Sequence, residues 1–282
     1  MVPAGIRLIP MDFATIRYET EGPLAWITLN RPDKLNAISK TMVAELNQAL
    51  DKALRDDPVR VIVIRGEGRA YSAGFDLEPQ GSQQRTREKE LADLKQELRD
   101  DFDLIMRFWD SPKPTISAIH GYCLGGAMEL ALACDITIAA RGCRLGEPEV
   151  KFGSGIVAML LPFLCGPKRA KELLLTGNDR VTAEQAEAWG LVNRVCEADR
   201  LVHEAQALAR EIARNDQLAV RLTKQAVNAM FEIPRMRDAL EHALELDIAI
   251  ESTETDESRQ FNEVLKKEGA RAAIAWRDRQ LD

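Results

Sequence analysis

The stretch Gly121-Tyr-Cys-Leu-Gly-Gly-Ala-Met-Glu-Leu-Ala-Leu-Ala-Cys-Asp135 decides how this chain is read. It opens on glycines, continues as an almost wholly apolar run, and carries one carboxylate, Glu129, just after the Gly125-Gly126 pair. Extended to Ala118–Ala140 it is the most apolar part of the sequence, yet it holds Glu129, Asp135 and several glycines. It therefore reads as a buried strand and helix rather than a membrane span. The first N–H groups of a helix lack intrahelical partners and lie at the positive end of its dipole, and glycines there let a ligand oxygen approach the backbone. Glu129 follows Gly126 by three residues, so it shares that helix face and reaches toward whatever the Gly126 N–H binds. Taken alone, it is more simply a first-turn glutamate favoured by the dipole.

Outward from this segment, the chain alternates strand and helix signals. Phe13–Glu19 and Leu24–Leu29 are β-rich; Asn30-Arg-Pro-Asp-Lys34 is a turn; and Met42, Leu46, Leu50 and Leu54 recur at helical spacing within Ser39–Leu54. Arg60–Arg65 (RVIVIR) suits a strand covered on both faces. A polar loop is expected over 78–90 and a helix over about Leu91–Trp109. Pro112 and Pro114 stop that helix, and Thr115–Ile119 is a strand leading into the opening segment. This pattern predicts an α/β core of successive layers over residues 1–200. Arg200–Arg214, Gln217–Phe231 and Pro234–Glu251 then predict amphipathic helices, so 201–282 forms a helical region that must pack on the core, on another subunit, or on both.

Two further features bear on chemistry. Ser72-Ala-Gly-Phe-Asp-Leu77 follows the RVIVIR strand, and Gly74 there frees the Phe75 N–H to point into a cleft. Two such donors converging on one carbonyl oxygen make an oxyanion hole, each worth about 3 kcal/mol in a transition state. Read separately, each glycine pair is accounted for by tight packing. Gly146-Glu-Pro-Glu149 places a second carboxylate in apolar, glycine-rich surroundings, and two carboxylates flanking a cleft can divide acid and base roles. His120, His203 and His242 have no ligand spacing. The sequence also lacks G-x-S-x-G, P-loop and dinucleotide fingerprints, which removes the usual support for serine hydrolysis, phosphoryl transfer and hydride transfer.

Composition agrees with an ordinary globular protein: 45% hydrophobic and 29% charged residues over 282 positions, with a net charge of −7. An acidic balance is a poor match for nucleic acid or an anionic membrane, so no partner of either kind is expected. The five cysteines are odd in number and without C-x-x-C spacing, which predicts free thiols in a reducing compartment and no metal site. Arg7, Asp12 and Arg17 interrupt any signal-like apolar core, so a cytoplasmic location is expected.

Leu29-Asn-Arg-Pro-Asp-Lys-Leu-Asn-Ala-Ile38, Arg69-Ala-Tyr-Ser-Ala-Gly-Phe-Asp-Leu77, His120-Gly-Tyr-Cys-Leu-Gly-Gly-Ala-Met-Glu129, Phe152-Gly153 and Leu174-Leu-Thr-Gly177 through Gly190-Leu-Val192 together resemble the crotonase (enoyl-CoA hydratase/isomerase) superfamily. The order and spacing match across nearly the whole chain. The resemblance implies a spiral of repeated ββα units, a C-terminal helical region forming a homotrimer or a dimer of trimers, and an acyl-CoA thioester as substrate. Coenzyme A is then part of the substrate, and no separate cofactor is expected. The resemblance puts the oxyanion hole on the N–H groups of Phe75 and Gly126, and the hydratases' paired glutamates on Glu129 and Glu149. Glu129 would activate water for attack on the β-carbon, and Glu149 would deliver the α-proton. Lys34, Ala73, Asp76 and Leu77 match the region that contacts the CoA nucleotide.

The chain departs from many hydratases after Glu149, where Ile156-Val-Ala-Met-Leu160 replaces a glycine-rich run. The backbone N–H survives, but Val157 and Met159 are expected to fill volume beside the acyl group. Ala270–Trp276 also lacks a counterpart to an aromatic common in the family. The expectation is an enoyl-CoA hydratase-like lyase. The alternatives are a Δ3,Δ2-enoyl-CoA isomerase, a C–C or thioester hydrolase on the same scaffold, and a non-catalytic acyl-CoA-binding homologue.

Overall fold

A hairpin begins the described core. Strand β1 (Ile6–Arg7) pairs with β2 (Ile16–Glu21), and β2 turns at Gly22 into β3 (Leu24–Leu29), every residue of which is buried. The structure, a computed structural model, describes residues 6–7, 13–76, 87–251 and 253–269, with 272–273, 275–276 and 279 beyond them. Helix α1 (Lys40–Arg55) starts where the Ser39 hydroxyl accepts the Met42 N–H at 3.2 Å, and it buries Met42, Leu46, Ala49, Leu50 and Ala53. The Glu45 carboxylate on its inner face accepts the N–H groups of Ala14 and Thr15, fastening the helix to the approach to β2.

Strand β4 (Val61–Gly66) lies parallel to β3, and its apolar run is explained by cover on both faces. Ile62 and Ile64 join the cluster built on α1, while Val61 and Val63 join a second cluster on the opposite side. Helix α2 (Arg87–Trp109) follows. It begins one turn before the expected Leu91, because Arg-Glu-Lys-Glu at 87–90 are good helix formers. The rest of the expected 78–90 loop lies outside the described residues.

Next come β5 (Thr115–Ile119), β6 (Tyr122–Leu124), α3 (Gly126–Ala133), β7 (Ile136–Ala140) and β8 (Arg144–Gly146). They are followed by α4 (Leu161–Cys165), α5 (Pro167–Thr176), β9 (Val181–Thr182), α6 (Ala183–Ala188) and β10 (Arg194–Cys196). One sheet runs β1-β2-β3-β4-β5-β7-β10, antiparallel through β3 and parallel from β3 to β10; a small sheet runs β6-β8-β9. Each turn of the chain thus leaves a strand in the large sheet and carries the next segment toward the small one. The bridges Ile38–Phe75 and Ser72–Cys123 tie successive turns together.

Helix α7 (Leu201–Ala213) closes the second face of the large sheet, burying Leu201, Ala205, Ala209 and Ala213 against Val61, Val63, Ile116 and Ile138. Alanines every four residues let the helix approach closely. The helical region expected from residue 201 therefore begins with a helix that is part of the core packing. Helices α8 (Gln217–Glu232), α9 (Met236–Glu251) and α10 (Asp256–Glu268) follow, α10 having no counterpart in the elements expected from the sequence. Helix α8 is fastened by the Lys224–Asp135 ion pair at 2.9 Å and by Phe231 set edge-on to Trp109. Its Val227, Met230 and Phe231, with Leu240, Leu244 and Ile248 of α9, remain exposed. The five cysteines are free thiols, of which Cys123, Cys134 and Cys143 are buried.

Candidate active site

The site grows from the contact between two glycine loops. Leu124–Gly126, between β6 and α3, lies against Ser72–Phe75, after β4: the Leu124 N–H donates to the Ser72 carbonyl at 3.2 Å. Gly74 has φ +95°, and a Cβ there would stand 2.8 Å from the Leu124 carbonyl oxygen and 3.5 Å from the Gly126 nitrogen. A side chain on Gly126 would strike the Phe75 ring at 2.2 Å. Only glycine at both positions lets the loops close to this separation, which sets the neighbourhoods of the Phe75 and Gly126 N–H groups side by side. The Gly126 N–H is the first of α3 and has no place in that helix's own hydrogen-bond ladder.

Glu129 sits in the first turn of α3, a helix whose every residue is buried, and is itself 2% exposed. Its two oxygens are fastened separately. Oε1 accepts the Val157 N–H and Oε2 the Ala158 N–H, both at 2.9 Å. Burial pushes its pKa up to about 8; the two backbone donors pull it down, and Glu149 and Asp101 add to the rise. Glu149 opens a single 3₁₀ turn at 149–152 and is half-buried. Its Oε1 lies against Gly125, where a Cβ would come within 2.0 Å of it. Burial raises this carboxyl too. The structure therefore brings both expected carboxylates to the Gly125–Gly126 corner.

The remaining expected contacts are arranged differently. Lys34 is exposed at the end of the 3₁₀ turn 32–34, and Ala73 donates its N–H to the Leu35 carbonyl. The Asp76 carboxylate is committed to Arg31 at 2.9 Å, so it braces the 31–37 loop. Leu77 lies outside the described residues. In the 156–160 segment, Ile156, Val157 and Leu160 pack on the core, whereas Met159 is 47% exposed and adds nothing to a packed wall. What the segment supplies to the site is backbone: the two N–H groups that hold Glu129.

Sequence reasoning passed over two groups. Glu147 is 1% exposed beside Glu149, with neither carboxyl oxygen hydrogen-bonded among the described residues. Asp101, on the inner face of α2, is raised to about 7 by burial and by its neighbours Glu97 and Asp100. It lines a cavity of about 580 Å³ between α1 and α2, together with Lys40, Asn47, Asp93 and Glu97. The signal for Glu147 was the first acidic residue of Gly146-Glu-Pro-Glu149, two positions before the one selected. For Asp101 it was one aspartate of a charged helix, which gave no hint of burial.

A glycine corner with converging carboxylates, set between successive turns of a ββα spiral, defines a crotonase-type protein. The chain belongs to the enoyl-CoA hydratase/isomerase family, whose model matches residues 19–269. It is 38% identical over 225 residues to the crotonyl-CoA hydratase of Syntrophomonas wolfei, covering 77% of this chain and 83% of that one. It is 37% identical over 216 residues to the mitochondrial enoyl-CoA hydratase of Pongo abelii, covering 73% and 69%. Among solved structures, an enoyl-CoA hydratase/isomerase from Xanthobacter autotrophicus Py2 is 47% identical and superimposes with a TM-score of 0.73 over 96% of this chain and 99% of that one.

Proposed function

We propose that this protein is an enoyl-CoA hydratase, a lyase that adds water reversibly across the α,β double bond of an acyl-CoA thioester. The observation that carries this reading is the convergence of Glu129 and Glu149 on the corner that presents the Gly126 N–H. In hydration, Glu129 takes a proton from the water whose oxygen bonds to the β-carbon. Glu149 gives its proton to the α-carbon, and the Phe75 and Gly126 N–H groups hold the thioester oxygen while it carries enolate charge. One proton is taken and one given, so the carboxylates exchange charge and reset by proton transfer. Coenzyme A enters and leaves as part of the substrate, and the reaction needs no further cofactor. Lys34 meets the CoA phosphates, with the backbone at Ala73 and Asp76 beside the nucleotide.

An isomerase needs one carboxylate shuttling a proton between carbons; two carboxylates at the corner favour hydration. Incubation with short, long and branched enoyl-CoA thioesters, followed by mass analysis, is expected to show a gain of one water. Glu129→Gln and Glu149→Gln should each lower that rate by about 100- to 10,000-fold, less than additively when combined, while CoA binding persists. A double-bond shift without added mass, or variants hydrating at the parent rate, would refute the reading.

The exposed apolar residues of α8 and α9 support assembly into a homotrimer or a dimer of trimers. Light scattering at micromolar concentration is expected to give a multiple of three chains, and a folded monomer would contradict this. Five cysteines held as free thiols support a reducing, cytoplasmic setting.

A further inference from the structure

The mechanism uses two carboxyl groups, and the structure buries a third beside them. Glu147 follows β8, its N–H donating to the Asn178 carbonyl at 3.1 Å, and its side chain points into the protein with 1% exposure. Both of its carboxyl oxygens, and Oε2 of Glu149, are buried without a hydrogen-bond partner among the described residues. The titratable groups facing Glu147 are Glu129 on α3, Glu149 in the next turn and Cys123 on β6. None of these is a cation, and burial pushes the Cys123 thiol well up, so it stays neutral. Glu129 has two backbone donors and Glu149 is half-exposed; Glu147 has neither form of relief. Of the three, it is the poorest place for a charge.

We propose that Glu147 is a positioning residue that remains protonated and donates its hydrogen bond to Oε2 of Glu149, leaving Oε1, the oxygen against Gly125, to exchange the α-proton. The role assigned to that α-proton rests on the hydratase reading; the hydrogen bond itself does not. Burial and the two neighbouring carboxylates hold the Glu147 proton on, and the contact between Glu147 and Glu149 favours the charged form of Glu149. A single donated bond thus satisfies two otherwise orphaned groups and fixes which Glu149 oxygen faces the substrate.

The test compares E147Q, which keeps a donor and cannot ionise, with E147L, which keeps the approximate volume and loses the donor. Loss of the donor should lower kcat for hydration by about 10- to 100-fold with KM changed less than about twofold, because a displaced acid costs rate rather than CoA affinity. E147Q should recover most of that loss. In the dehydration direction Glu149 must start ionised. Losing a hydrogen bond to its charged form therefore moves the acid limb of the rate profile to higher pH in E147L but not in E147Q. Infrared spectra at neutral pH should show a buried protonated carboxyl band that E147Q abolishes and E149Q shifts. That readout holds even where E147L fails to fold. The proposal is overturned if E147L hydrates at the parent rate, if E147Q is as slow as E147L, or if no such band is lost in E147Q. Failure of the hydratase reading would show separately, as absence of water addition by the unsubstituted protein.

Discussion

Gly125→Ala tests whether the space at the head of α3 sets the position of Glu149. Two separate effects follow from the geometry. The first is backbone strain: Gly125 has φ +55° with ψ −136°, a region open essentially to glycine and costing a side-chain-bearing residue about 1–3 kcal/mol. The second is a collision, since the new Cβ would stand 2.0 Å from Glu149 Oε1. Ordinary contact begins at 3.4 Å, so the carboxylate must retreat by roughly 1.4 Å. A displacement of about 1 Å at a reacting group costs on the order of 100-fold in rate. Gly22 separates the effects, because it has φ +54° in the β2–β3 turn with nothing within 4 Å of its Cβ position. Gly22→Ala should lose about 1–2 kcal/mol in urea unfolding, and Gly125→Ala at least as much. Only Gly125→Ala should lose two orders of magnitude in kcat/KM, followed by the disappearance of the enoyl thioester absorbance. CoA binding by calorimetry should persist in both. A folded Gly125→Ala protein within a few-fold of the parent rate would show that Glu149 is not placed by the space at residue 125.

Three other outcomes are expected. On the proposed mechanism Glu129 carries its proton in dehydration, so the rate should fall as pH rises through about 8, and Asp101→Asn, which removes a charge that raises Glu129, should move that alkaline limb to lower pH. A limb that Asp101→Asn leaves in place would separate Asp101 from the site. Asp135→Ala removes the ion-pair partner of Lys224, whose side chain is 10% exposed, together with the acceptor of the Thr115 N–H, and should cost about 3 kcal/mol in urea unfolding, whereas an effect below about 1 kcal/mol would mean α8 is held by its apolar contacts. Val157→Gly keeps the N–H that binds Glu129 Oε1 while deleting a side chain packed on the core. It should therefore change the ranking of kcat/KM among short, long and branched substrates more than the rate on the best one, and an unchanged ranking would show that residue 157 does not face the acyl group.

What the sequence made legible was local. The spacing of Met42, Leu46 and Leu50 gave α1, the apolar run of RVIVIR a strand covered on both faces, and Gly126 followed by Glu129 a carboxylate in a first helical turn. What it did not disclose depends on contacts between distant segments. Glu147 and Glu149 flank a proline and look alike, yet one is sealed in and the other half-exposed. The difference comes from Gly146, packed so closely that a Cβ would meet the Asn178 carbonyl oxygen at 2.1 Å, a contact spanning 32 residues that no periodicity records. Asp101 was hidden for the same reason. Its burial is decided by α2 lying against the body of the protein, whereas its immediate neighbours Asp100 and Asp103 mark a solvated helix.

The 156–160 segment shows how bulky side chains can leave a backbone contact in place. Burial drives Glu129 toward its neutral form, and the two N–H groups of Val157 and Ala158 oppose that drive by favouring the ionised one. The balance near 8 leaves the carboxylate able to gain or lose a proton close to neutral pH, as the proposed role requires. Both donors belong to the main chain, which every residue except proline provides. The side chains of Ile156-Val-Ala-Met-Leu160 therefore cost Glu129 none of its hydrogen bonds, while Ile156, Val157 and Leu160 add apolar contacts to the core. A loop built in this way separates two requirements. Its backbone fixes the Glu129 carboxylate, and its side chains are free to vary without disturbing that contact.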